Sequence, residues 1–135
     1  MQHRILQKIK RVGYYLKLLE EYKEQCRERF EADPMFEGAL LHYLYLASDG
    51  SIAIAEMMLK YRKITPSQSY YEAIDTLGEE GILPREFAYR FARIASFRNF
   101  LAHDYEKVDP GLICGEALEK LDEIRSYLCY IEEAL

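Results

Sequence analysis

Residues 5–19 read ILQKIKRVGYYLKLL, in which an apolar residue returns every three or four positions. This spacing places apolar side chains on one face of an α-helix. The same stripe continues to residue 30 and is broken only by Lys23; its members are Ile5, Ile9, Val12, Leu16, Leu19, Cys26 and Phe30. We therefore predict that the N-terminal part of the chain is one long amphipathic helix packed against other helices.

Helical periodicity continues through the rest of the chain, and capping signals divide it into segments. Asp33-Pro34 and Asp109-Pro110 each place an N-cap acid before a proline at the first helical position, and Pro84 opens a further helix. No alternating strand pattern is present. These features predict an all-α protein, an antiparallel four-helix bundle with an additional short helix, in a single domain over residues 1–135.

Two positions interrupt the apolar pattern of the predicted helices. Asp49-Gly50-Ser51 lies within the second helix and indicates either a bend or a close contact between helices. Arg98 occupies a seam position of the helix that Pro84 opens, where leucine would be expected. A guanidinium is costly there unless it is paired with an acid or the seam opens into a cleft.

Composition restricts the classes of function. The chain has 135 residues and a net charge of −5, which argues against a protein that coats nucleic acid by bulk electrostatics. Between residues 84 and 107, however, basic residues outnumber acidic ones by five to three. The sequence contains neither an apolar run of membrane-spanning length nor the apolar core of a signal peptide, so we expect a cytoplasmic protein without a membrane partner.

The cysteine pattern indicates no metal site. Cys26, Cys114 and Cys129 are odd in number, widely separated and without a CxxC pair, and the three histidines complete no zinc pattern. We therefore expect three reduced thiols, at least two of them in the core, and no bound metal.

A candidate site lies near the end of the third long helix, where residues 98–105 read RNFLAHDY. A guanidinium can stabilise a phosphorane and an imidazole can exchange a proton near neutral pH, as phosphoryl transfer on RNA requires when no metal is used. On an ideal helix, however, His103 lies about 140° around the axis from Arg98. The two side chains converge only if the helix ends or loosens near His103, or if they meet across a dimer axis.

The same residues also allow an interpretation without function. Arg98 pairs with an acid such as Asp49 on a neighbouring helix, and His103 caps the last carbonyls of its own helix. Tyr105 is then a half-buried tyrosine at a helix end. Chemistry alone does not separate this interpretation from the functional one.

The longer string, residues 98–105 followed by Val108-Asp109, resembles the R-x4-H-x-Y signature of the HepT-like toxins, a branch of the HEPN superfamily. The resemblance extends upstream through residues 69–74 and 80–83, and the chain length and helical order also fit. It implies a ribonuclease toxin that needs neither metal nor cofactor. It also implies a MntA-like minimal nucleotidyltransferase as the antitoxin partner.

The resemblance further implies roles for individual residues. Arg98 and His103 match the catalytic pair, and Tyr105 matches the tyrosine that the antitoxin modifies with AMP. Asn99 and Asp104 match the intervening residues of the motif and are expected to support it. The family forms homodimers with the motif at the subunit interface. The expected substrate is RNA and not DNA, which lacks the 2′-hydroxyl nucleophile.

Two other functions stay open from the sequence. One is a non-catalytic helical dimer that binds a nucleotide or a partner protein, in which His103→Gln would be tolerated far better than in a nuclease. The other is a purely structural dimer in which Arg98 is a buried ion-pair partner. In that case Arg98→Ala would destabilise the fold by roughly 3–5 kcal/mol, because it would orphan a buried charge.

Overall fold

The computed structural model of the protein describes residues 1–103 and 108–135. Seven α-helices occur in these ranges, together with a π-helical segment and a short 3₁₀ helix before the last of them. They are α1 Gln2–Lys23, α2 Cys26–Arg29, α3 Pro34–Tyr61, α4 Tyr70–Glu79, α5 Arg85–Phe91, α6 Ile94–His103, the π-segment Gly111–Ala117, the 3₁₀ helix Leu118–Lys120 and α7 Leu121–Glu133. The described residues contain no β-strand, and the predicted all-α class is confirmed. None of these helices combines the length and hydropathy needed to cross a membrane.

The apolar stripe that begins at Ile5 is buried along its whole length. It forms two helices and not the single one predicted, because α1 ends at Lys23 and the chain turns before α2. The last two members of the stripe, Cys26 and Phe30, lie in α2 and at its C-terminal end. Helix α1 packs mainly against α3, so these two long helices form the central pair of the bundle.

The start of α3 is held by the predicted cap at Asp33-Pro34. Oδ1 of Asp33 accepts hydrogen bonds from the backbone N–H groups of Met35 (3.1 Å) and Phe36 (3.2 Å), and Pro34 is the first helical residue. The cap satisfies donors that a helix N-terminus otherwise leaves unpaired. It anchors the helix that carries the polar residues of the candidate site.

Gly50 marks a close contact between helices, which is one of the two alternatives that the sequence left open. A Cβ atom built on Gly50 would lie 2.7 Å from Cγ2 of Val12, so only glycine lets α3 approach α1 at this point. Helix α3 continues without interruption from Pro34 to Tyr61. The hydroxyl of Ser51 donates to the carbonyl of Ala47 (2.8 Å) and is buried within the same helix.

The prediction that the third long helix is continuous is wrong. The segment from Pro84 to Tyr105 was predicted as one helix, but α5 ends at Phe91 and α6 begins at Ile94. Helix α5 packs on α4 whereas α6 packs on α3, and the turn between them redirects the chain from one partner to the other. Tyr105, the last residue of that prediction, lies outside the described residues.

The helix predicted after Asp109-Pro110 is also divided. The chain enters it at the predicted signal, where Oδ1 of Asp109 accepts the N–H of Gly111 (3.1 Å). The first seven residues form the π-segment, and regular α-helix is reached only at Leu121.

The prediction of three reduced thiols is wrong for two of them. Cys26 and Cys114 are both buried, as expected, but they form a disulfide, with Cα atoms 5.6 Å apart. Cys129 is exposed and free. The bonded cysteines are 88 residues apart in the chain and are brought together only when α2 packs against the π-segment. No local spacing in the sequence could reveal this pairing.

Candidate functional site around Arg98

Arg98 lies on the face of α6 that packs against α3. Ile94, four residues earlier, and Leu101, three residues later, are both buried on that face. The Arg98 side chain is only 16% exposed. Arg98 therefore occupies the seam position that the sequence predicts.

The guanidinium of Arg98 is held by three hydrogen bonds from three different nitrogen atoms. Nε donates to Oδ1 of Asp49 (3.0 Å), Nη2 donates to the hydroxyl of Tyr45 (3.2 Å), and Nη1 donates to Oδ1 of Asn99 (3.1 Å). Asp49 and Tyr45 both come from α3, where a spacing of four residues puts them on one face. The ion pair with Asp49 that the sequence suggested is thus present.

Two aromatic rings complete the surroundings of this cation. The Cζ atom of Arg98 lies 5.3 Å from the ring centre of Tyr45 and 5.0 Å from that of Tyr70, at the start of α4. Both distances are within the range of a cation–π interaction. Three helices, α3, α4 and α6, therefore converge on one guanidinium.

The electrostatics of this cluster keep Arg98 charged. Burial lowers the pKa of Arg98, but the hydrogen bond to Asp49 and the nearby Tyr45 and Tyr70 outweigh it, so the pKa lies above its ordinary value. A guanidinium has five N–H donors, and the three contacts use one from each nitrogen. The geometry suits a fixed cation that can still offer N–H groups to an anion.

His103 is separated from Arg98 by the geometry of α6. The chain is helical through His103, so no loosening between the two residues brings their side chains together. His103 is exposed whereas Arg98 faces α3. A continuous helix as far as His103 therefore does not bring the two side chains together.

The other residues of the motif divide into two groups. Asn99 is exposed and contacts Arg98 directly, as an accepting neighbour. Asp104 and Tyr105 lie outside the described residues.

Among the described residues, no group of three or more His, Cys, Asp or Glu side chains is placed to hold a metal ion.

The sequence did not identify Tyr45 and Tyr70 as part of this site. Tyr45 precedes Asp49 by one helical turn, so a partner proposed at Asp49 implies a neighbour at Tyr45. Tyr70 carries no such signal, because only the tertiary structure brings the start of α4 against α6.

A groove of about 280 Å³ lies beside this cluster, between α3 and α6. Its lining residues are Gly38, Leu41, His42, Tyr45, Leu101 and Ala102. Tyr45 is shared between the groove and the surroundings of Arg98.

The sequence profile of the family described as Ribonuclease HepT-like matches residues 12–131. This chain belongs to the HepT-like family. The match covers Arg98, His103 and every helix that contacts them, and the family resemblance expected from residues 98–105 is confirmed.

Known proteins support this assignment at the level of sequence and of fold. A protein named tRNA nuclease HepT, from Aphanizomenon flos-aquae, is 29% identical in sequence, and the match covers 90% of this chain and 88% of that protein. A HEPN toxin of Shewanella oneidensis, solved in a tri-AMPylated form with its MNT antitoxin, superposes with a TM-score of 0.84 at 16% identity, covering 96% of each chain. YutE, a cytosolic protein of unknown function from Bacillus subtilis, superposes with a TM-score of 0.67 at 16% identity, covering 93% of this chain and 89% of its own. The last two show that this HepT-like chain shares their fold.

Proposed function

We propose that this HepT-like protein is a ribonuclease toxin that cleaves RNA without a metal ion and acts as a cytoplasmic homodimer. The observation that carries the proposal is the cation at Arg98, held by Asp49, Tyr45 and Asn99 within a chain that matches a ribonuclease family. The name of the Aphanizomenon relative supports RNA as the substrate. We further propose that residues 1–135 form one HEPN-like domain.

Arg98 acts in this mechanism by stabilising charge. When the 2′-hydroxyl attacks the adjacent phosphorus, the phosphorane gains negative charge on its non-bridging oxygens. The planar guanidinium donates paired hydrogen bonds to such oxygens. Because Asp49 and Tyr45 already orient it, little reorganisation is needed in the transition state.

His103 acts in proton transfer. As a base it takes the proton of the 2′-hydroxyl while the new O2′–P bond forms; as an acid it gives a proton to the 5′-oxygen while the P–O5′ bond breaks. The products are a 2′,3′-cyclic phosphate and a free 5′-hydroxyl. A second copy of the chain supplies the complementary imidazole and brings one His103 towards the other copy's Arg98.

Neutralisation by AMP transfer is the regulatory part of the proposal. We propose that a MntA-like nucleotidyltransferase joins the Tyr105 oxygen to the α-phosphate of ATP and releases pyrophosphate. The phosphate added there is negatively charged, and its acceptor follows Arg98 by seven residues in the sequence. It competes with the RNA phosphate for the guanidinium. The AMPylated Shewanella toxin, a structural neighbour, supports this type of control.

One observation favours a second candidate, a dimer that binds a nucleotide or partner without cleaving it. Arg98 and His103 do not converge within one chain, and phosphate binding needs the same donors as phosphoryl transfer. His103→Gln separates the candidates, because it retains hydrogen bonding but removes proton transfer near neutral pH. Binding survives this change, whereas cleavage does not.

The decisive experiment combines RNA cleavage with intact mass. The purified protein is incubated with a tRNA pool in EDTA, before and after treatment with the nucleotidyltransferase and ATP. We expect cleavage with 2′,3′-cyclic phosphate ends, lost as AMP adducts appear on Tyr105. His103→Ala abolishes it, whereas His3→Ala, an exposed histidine at the start of α1, does not. Full activity of His103→Ala would overturn the mechanism, and Tyr105→Phe that still acquires AMP would overturn the assignment of the acceptor.

A further inference from the structure

The groove between α3 and α6 extends from the surroundings of Arg98 to Ala102, the residue before His103. At one end Arg98 contacts Tyr45 and Asp49; at the other, Ala102 shares the groove with Gly38 and His42. Helices α3 and α6 are therefore antiparallel here. Ala102 is adjacent in sequence to His103, so a ligand in this groove is close to both ends of the proposed active centre.

The lining of the groove combines an apolar floor with a polar rim. Leu41 and Leu101 are buried and supply aliphatic surface, whereas His42 is exposed. A volume of about 280 Å³ is close to the lower end of the range for small-molecule sites, roughly 300–1,000 Å³. This combination suits one flat heterocycle better than a long polymer segment.

One side of this groove is open because Gly38 has no side chain. A Cβ atom built at Gly38 would meet no described atom within 4 Å. Glycine in a helix interior is unfavourable by roughly 0.5–1 kcal/mol relative to alanine. The helix gains no packing contact from this residue, and the missing side chain keeps the groove accessible.

The spacing along α3 places His42 one helical turn from Tyr45, which contacts the guanidinium. His42, Tyr45 and Asp49 follow one another by three and four residues and so share one face of the helix. His42 is one turn, about 5 Å along the axis, from the tyrosine that contacts Arg98. When Arg98 holds the reacting phosphate, a neighbouring nucleoside is within reach of the groove.

From this arrangement we propose that the groove is a nucleobase subsite for the RNA, with His42 as the residue that contacts the base. The inference rests on the proposed ribonuclease function and names the part of its substrate that sets specificity. Single-stranded RNA is recognised by stacking unpaired bases on aromatic side chains and by hydrogen bonds to base edges. The imidazole of His42 offers both a flat face and two nitrogen atoms. Because no group in the groove acts on the reacting bonds, the subsite affects binding more than chemistry.

The test compares two variants of the groove with two matched controls. His42→Ala removes the proposed contact, and Gly38→Leu fills the space; His3→Ala changes an exposed histidine outside the groove, and Gly13→Leu fills open space in α1. The substrates are four 5′-labelled single-stranded RNA oligonucleotides that differ only in the base beside the cleaved bond. For each protein, kcat, KM and the cleavage pattern are measured.

We expect each groove variant to raise KM about tenfold, to change kcat less than about twofold, and to reduce the difference between the four bases. Both controls keep the KM of the unchanged protein. Active groove variants with unaltered KM and base preference would overturn the subsite and leave the ribonuclease intact. An unchanged protein that cleaves none of the four oligonucleotides and no tRNA would overturn the ribonuclease proposal and the subsite with it.

Discussion

Tyr127 and Arg98 each place a polar group among the packed helices, but the surroundings of the two groups differ. Tyr127 on α7 is fully buried; its hydroxyl donates to the carbonyl of Ser51 (2.7 Å), and its ring stacks on Phe91 with centroids 4.5 Å apart. Burial raises the pKa of Tyr127 well above its ordinary value, so the hydroxyl stays neutral. Arg98, by contrast, is charged and 16% exposed, and three side chains hold it.

The difference separates a structural polar group, at Tyr127, from the polar group for which we propose a function, at Arg98. The hydroxyl of Tyr127 has one proton to donate, and the core supplies its acceptor. The guanidinium of Arg98 is oriented by Asp49, which is itself 39% exposed, so the pair sits at an edge of the bundle that water and anions can reach. Changes at Tyr127 should therefore affect stability, and changes at Arg98 should affect function more than stability.

The largest expected effect on stability is at Tyr127. Tyr127→Ala should lower the free energy of unfolding by about 3–5 kcal/mol, because it removes a large buried ring and leaves a cavity. Urea denaturation measures this loss, and RNA cleavage per folded molecule should be unchanged. A loss below about 1 kcal/mol would show that this contact does not define the core.

Gly50 lies next to Asp49 in sequence but faces α1. Gly50→Ala should destabilise the protein by about 1–3 kcal/mol, because the added Cβ overlaps the buried, stiff side chain of Val12. Gly13→Ala is the matched control and should stabilise by roughly 0.5–1 kcal/mol, since its Cβ meets no described atom. Thermal denaturation of both variants checks the sign, and equal shifts in one direction would contradict the proposed contact.

Arg98→Ala should have the opposite balance of effects from Tyr127→Ala, with a small loss of stability and a large loss of cleavage. We expect it to lower the free energy of unfolding by only about 1–2 kcal/mol, because the Asp49 carboxylate is exposed enough to be hydrated once its ion-pair partner is removed. Its cleavage rate should fall by roughly 10²–10³. Arg125→Ala, which breaks solvent-accessible pairs with Asp122 and Glu20, is the control and should cost under about 1 kcal/mol with full activity. A loss above roughly 3 kcal/mol with unchanged cleavage would instead identify Arg98 as a structural ion-pair partner.

The smallest effect concerns pH and the cap of α3. The hydrogen bond from Arg29, followed by the backbone N–H of Phe36, lowers the pKa of Asp33 below its ordinary value. Asp33 therefore adds stability above its unfolded pKa of about 3.9 and loses it as the pH falls through the lower folded value. Asp33→Asn keeps an accepting cap but does not titrate. At pH 7 the urea midpoint of the unchanged protein should be higher than that of Asp33→Asn. This difference between the two midpoints should disappear below about pH 4.

Local signals predicted the features that depend on one segment of chain. The cap at Asp33-Pro34, the buried stripe from Ile5 and the unusual cation at Arg98 all follow from the spacing of residues that are close in the sequence. Asp49 was suggested as a possible partner of Arg98 because a cation in an apolar seam is costly without a nearby acid, and the structure shows this pair. The break between α5 and α6 was missed because the apolar spacing continues across it, and only packing on two different helices requires the turn.

The sequence by itself determined the all-α class, the family and the candidate residues, because helical periodicity and the motif at residues 98–105 are local in the chain. The tertiary structure decided which distant residues meet. It bonded Cys26 to Cys114, brought Tyr70 to Arg98, and opened the groove beside His42. Contacts of this kind depend on how helices pack against one another, and no single segment encodes them.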